Sequence, residues 1–150
     1  MVGLSIAVIV FNFVAFFTNR RLTKNQMAHI WTFTTSFQLL FDLYVDHKYH
    51  GYWYFTKEVD WEGLPTLTML IPPVNIMFLN WYPFHKSLLK RFLYFVCWLI
   101  FILIYEMVTL LPEPWGYFHY GWWNLGYSAL ADPILLIILL SYYKWVCKLE

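Results

Sequence analysis

Charge is what this chain has least of. Lys, Arg, Asp and Glu together make up 13% of its 150 residues, about half the usual share in a soluble domain. Hydrophobic residues make up 61% and aromatics 23%. A water-soluble domain of this length cannot hide so much apolar surface, because much of its area stays wet. An ordinary soluble globule is therefore excluded, and an outer face solvated by lipid is implied. The net charge is +1, with no basic run or stripe, so no nucleic-acid partner is indicated. Cysteine is nearly absent as well. Cys97 and Cys147 fall in apolar helical surroundings near one side of the membrane, which makes no disulfide framework and no zinc motif; they read as buried thiols acting as small hydrophobes. HExxH, GxSxG, Walker and dinucleotide-binding motifs are missing. Ser128 beside Asp132 lacks the histidine that a nucleophilic triad needs. No internal repeat is visible.

What is present is apolar runs with punctuation. Residues 2–17 form a run broken only by Ser5 and Asn12, about 25 Å long as a helix. No basic residue precedes it, while Arg20, Arg21 and Lys24 follow, so it reads as a retained first helix rather than a signal peptide. Further spans are expected at about 27–46, 64–81, 87–111 and 125–146. Pro72 and Pro73 predict a kink in the third. The Tyr- and Trp-rich stretches after the second and fourth spans read as interfacial loops, the first with room for a short re-entrant or amphipathic helix. Of the ten Lys and Arg residues, eight (Arg20, Arg21, Lys24, Lys86, Lys90, Arg91, Lys144, Lys148) fall on one side of this arrangement; Lys48 and Lys57 fall on the other. The expectation is an all-α, polytopic five-helix membrane bundle forming one domain, with the N-terminus out and the C-terminus in.

The stretch from Trp31 to Phe55 carries the polar residues. Thr34, Thr35, Gln38, Asp42 and Asp46 recur at spacings of three and four. On a helix they fall within a sector of roughly 120°, opposite Phe33, Leu40 and Tyr44. Glu106 in the fourth span and Asp132 in the fifth reach a depth similar to Asp42. Asn124, Ser128 and Asp132 follow at i, i+4 and i+8. If these stripes face one another, the protein holds a carboxylate-rich pocket open to the outside. Several carboxylates in a low-dielectric site cannot all ionise, and no Lys or Arg lies at that depth. Protons, a metal ion, a cationic solute or a histidinium must balance them.

The reading is therefore a pocket for a cation or small solute, in a transporter or sensor. Asp42, Glu106 and Asp132 would be the charged ligands, with Asp46 just above them and Gln38, Asn75 and Ser128 orienting them. Five short helices enclose little of a pathway alone, so a homo-oligomer is expected. A metal-dependent enzyme acting on lipid or envelope substrates is the first alternative. One or more of His47, His50 and His119 would then join the acids around a divalent metal, although His47 and His50 make only a partial spacing motif. An accessory subunit, its acids paired with a basic membrane partner, is the second. The plain readings stand beside these: Asn75, Asn80 and Ser128 as interhelical hydrogen-bond glue, Asp46 as a solvated acid, and the Trp and Tyr clusters as interfacial anchors.

Several stretches carry a resemblance: FDLYVDHKYHGYWYF, Val59 to Trp61, the two prolines before Asn75, Leu79 to Trp81, Tyr105-Glu106 and GWWNLGYSAL. Together the chain resembles a family of small, uncharacterised multi-helix integral membrane proteins of spore-forming Gram-positive bacteria. The resemblance implies a compact helical fold in a bacterial plasma membrane and carries over no catalytic role.

Overall fold

The computed structural model describes all 150 residues. The architecture is helical: α1 (Val2–Thr18), α2 (Lys24–Asp42), α3 (Ile71–Trp81), α4 (Leu88–Thr109) and α5 (Leu125–Leu149). Two π-helical turns, Leu43–Lys48 and Thr66–Leu70, extend α2 and precede α3. The helices lie close to the expected spans. Two of them, α4 and α5, are long and apolar enough to cross a membrane, and little of either is buried within the protein. A soluble core helix would be mostly buried. The other three fall short of that standard: α1 is apolar but has 17 residues, α2 begins with the polar run Lys24-Asn25-Gln26, and α3 has 11 residues.

Local chemistry explains each boundary. Thr23 caps α2, accepting from the Gln26 amide while the Gln26 side chain accepts from the Thr23 amide, so two orphan donors are satisfied reciprocally. Asn124 caps α5 by accepting from the Tyr127 N–H at 3.1 Å. That cap removes Asn124 from the polar stripe in which the i, i+4, i+8 spacing had placed it. The expected kink in the third span takes the form of the π turn. The chain is helical throughout 64–81, so Pro72 and Pro73, in the first turn of α3, remove two N–H donors from the interior of that run. In an α-helix the Met69 carbonyl would receive the N–H of residue 73, which is proline. The Asn12 side chain of α1 fills the vacancy, donating to Met69 O at 2.7 Å.

The main core lies where all five helices meet, around Ile30, Ile76, Phe78, Leu79, Trp98, Leu136 and Leu139. Phe78 is enclosed by the rings of Tyr82, Tyr94, Phe95 and Trp98. Outside this core the surface remains apolar, with Ile9, Phe13, Phe17, Leu88, Phe92, Leu130 and Ile134 all exposed. Cys97 and Cys147 are also exposed, which corrects the expectation of buried thiols; they belong to this same outward-facing surface.

The two aromatic loops do not lie apart as separate interfacial segments. They pair as a two-stranded antiparallel ribbon, β1 (Tyr52–Trp53) with β2 (His119–Tyr120), placing Tyr52 opposite Tyr120 and Trp53 opposite His119. Glycine is required where the loops touch, since a Cβ on Gly121 would sit 2.3 Å from the His50 carbonyl oxygen. At the other end of the protein the basic loops are tied to the helices. Asn80 donates to the Thr18 carbonyl and accepts from the Arg20 and Arg21 amides. Arg21 donates to the carbonyls of Leu79 and Tyr82 at the end of α3.

Candidate functional site

The polar stripe of α2 does turn inward. Thr34 and Asp42 are buried, and the π turn keeps Asp46 on the same side. Asp42 is 1% exposed and Asp46 4%. Asp46 is therefore not a solvated acid.

Two of the carboxylates are built into matching arrangements beneath the ribbon. Asp42 Oδ1 accepts from the Tyr52 hydroxyl and from Gln38 Nε2, the latter at 3.3 Å. Glu106 Oε1 accepts from the Tyr120 hydroxyl and from Ser128 Oγ, the latter at 2.6 Å. Ser128 in turn accepts from the Trp123 indole at 2.8 Å. Tyr52 and Tyr120 are direct cross-strand partners, so their side chains share one face of the ribbon. That face meets the helices; one tyrosine reaches α2 and the other α4. Burial holds the Tyr52 phenol well above its usual range, and nearby Tyr54 and Asp42 add to the shift. Burial followed by the hydrogen bond to Glu106 raises Tyr120 likewise. Both rings therefore remain protonated donors.

Below the ribbon lies a cavity of about 210 Å³, walled by 17 residues of which 13 are hydrophobic. Its polar lining is Thr34, Gln38, Asn75 and Asp132. Asn75 Nδ2 donates to Thr34 Oγ1 at 3.0 Å. The cavity shares one residue with the capped acids, since Gln38 lines it and also holds Asp42. The expected single pocket is thus divided. Gln38, Asn75 and Asp132 line the cavity, whereas Asp42, Glu106 and Ser128 do not; their hydrogen bonds point to the ribbon.

Three buried carboxylate oxygens have no hydrogen-bond partner: Asp42 Oδ2, Asp46 Oδ1 and Asp132 Oδ2. His47 Nδ1 lies 3.9 Å from Asp46 Oδ1 and forms an ion pair with it only when the imidazole is protonated. Unpaired buried carboxylate oxygens are costly and call for a proton, a water or a cation.

The histidines do not assemble a metal centre. No group of three or more His, Cys, Asp or Glu side chains is placed to hold an ion. His47 reaches only Asp46, His119 stacks on Trp53 on the outer face of the ribbon, and His50 occupies a left-handed turn at φ 51°. The donor set therefore does not fit the divalent metal that the His47, His50 and His119 reading required.

Tyr52, Tyr120 and Trp123 are the residues that sequence reasoning took only for anchors. The signal was there: YWYF after Gly51 and YFHY before Gly121 are short aromatic runs bounded by glycine, a pattern that fits strands as well as interfacial loops. In comparisons with known proteins, no family model, no curated protein and no solved structure matched this chain.

Proposed function

We propose that this chain is a five-helix integral membrane protein of the bacterial plasma membrane, with its N-terminus out and its C-terminus in. It binds a cation or small solute at the ribbon end, as a small transporter or sensor. The topology rests on the Lys and Arg count, eight against two, and on the apolar surface left exposed around the helices. Apolar helices of 22 and 25 residues are long enough to cross, while the shorter apolar α1, α2 with its π turn and the helical run 64–81 complete the five. The resemblance to small bacterial membrane proteins points the same way.

One observation carries the binding reading. Asp42 and Asp132 each hold a buried oxygen without a hydrogen-bond partner, Asp46 Oδ1 has only His47 beside it, and no Lys or Arg pairs with any acid in the protein. Structural glue would satisfy these atoms. A site that receives a positive group leaves them open, at a standing cost in stability that binding relieves.

Two measurements test this. Reporter fusions at both termini, with thiol labelling of exposed Cys147, should place the C-terminus inside; labelling from the outside overturns the topology. Protein in lipid nanodiscs should show a rise in unfolding temperature when cations are added, lost in the Asp132→Asn variant. Co-purification of a larger membrane protein, whose basic residues neutralise the acids, would instead establish the accessory-subunit role.

A further inference from the structure

The cavity below the ribbon differs from an inorganic cation site in composition, and this difference identifies a ligand class. A hard cation such as Mg²⁺ or Ca²⁺ takes about six or more oxygens. Here a mostly hydrophobic wall supplies one carboxylate, that of Asp132, two carboxamides and one threonine hydroxyl. The carboxamides are already oriented. Gln38 commits its nitrogen to Asp42, and Asn75 commits its nitrogen to Thr34, so both have their carbonyl oxygens left to accept. The Asp132 carboxylate lines the same wall, so the polar lining supplies three acceptor groups.

We propose that the cavity binds a small primary ammonium compound with an apolar body. An –NH₃⁺ group has three donors and no acceptor, which matches Asp132, Gln38 and Asn75 in number, polarity and charge. The remaining wall includes Phe37 and Phe101, aromatic surface against which an aryl or alkyl body packs. The cavity's 210 Å³ has the volume of roughly seven waters, enough for a compact amine. Asp132 is the only charged residue in the lining. Asp42 and Glu106 then act as anchors of the ribbon, and the ligand's charge is carried by Asp132 alone. The inference rests on the proposed cation pocket and narrows it.

The probe is benzylammonium, titrated into nanodisc-embedded protein by calorimetry. Benzyl alcohol controls for partitioning into lipid and benzyltrimethylammonium for the N–H donors; Na⁺ and Mg²⁺ are tested alone. Expected is saturable binding of benzylammonium, at least tenfold weaker in Asp132→Asn and in Val74→Phe, which fills the cavity from α3 without touching the acid. Size-exclusion profile and helical content report folding, and Asp132→Glu serves as the charge-retaining variant if Asp132→Asn does not fold. Equal affinity for the alcohol or the trimethyl analogue overturns the primary-ammonium assignment. Asp132-dependent binding of Na⁺ or Mg²⁺ with none of benzylammonium overturns it too, while leaving the cation pocket standing. No Asp132-dependent binding of any cation overturns both.

Discussion

The two ends of this protein handle buried polar groups in opposite ways. At the basic end the main polar side chains are consumed by backbone or by one another. Asn80 joins the end of α1 to the following loop with three hydrogen bonds, and Arg21 closes the end of α3 and lies over the Phe84 ring. Glu150 accepts from Thr23, Asn25 and Gln26 at the start of α2, where a negative charge also suits the helix dipole. At the ribbon end, carboxylates are buried without cations and three of their oxygens are unpartnered. The lesson concerns how to tell glue from site: saturation marks the first and an open valence the second.

Substitutions at the two ends should separate them. The largest effect is expected from Asn80→Leu, which strands two backbone N–H groups and one carbonyl. At about 1–3 kcal/mol for each buried orphan, the loss should reach about 3 kcal/mol in reversible unfolding in mild detergent. A loss below 1 kcal/mol would show that this end is not held by its polar network. Next comes Tyr52→Phe. Removing a donor to a buried carboxylate costs about 2 kcal/mol. Tyr120→Phe should cost less, about 1 kcal/mol, because Glu106 retains Ser128. The double variant should lose less than the sum, since the paired strands release together; strict additivity would mean that the two caps are independent. Smaller again is Asp132→Asn, expected to change stability by less than 1 kcal/mol, or to raise it, while abolishing cation-dependent stabilisation. A large loss would make Asp132 structural and would break the distinction between the two ends.

The smallest effect is a pH dependence at the basic end. The hydrogen bond from Asn25, followed by those from Gln26 and Thr23, holds the Glu150 carboxyl below its usual value of 4.5. A depressed carboxylate contributes stability that is present above its unfolded value and is lost as pH falls through its folded one. Stability measured below about pH 4.5 should therefore fall slightly more steeply in the parent protein than in Glu150→Gln. Identical slopes would remove this contact from the account.

Much of the fold was legible because lipid-length periodicity and proline punctuation are local signals. The span limits at 64–81 and 125–146 fall within a turn of the observed helices, and the inward phase of Thr34, Gln38, Asp42 and Asp46 followed from spacing alone. The division of the acids was not legible. Whether Asp42 and Glu106 face a cavity or a tyrosine depends on strand pairing between residues almost seventy positions apart, and two-residue strands carry too little pattern to announce it. Tyrosine in an aromatic loop also has the same composition whether it floats at an interface or caps a carboxylate. Cys97 and Cys147 were misjudged for a simpler reason. Apolar neighbours along a helix mean burial only when the solvent is water.

The register of the ribbon has a further consequence. Because side chains alternate across a strand, a slip of one residue in either loop would turn its tyrosine away from the helices and present Trp53 or His119 in its place. In the register observed, the two short strands clasp the ends of α2 and α4 to each other through Tyr52 and Tyr120.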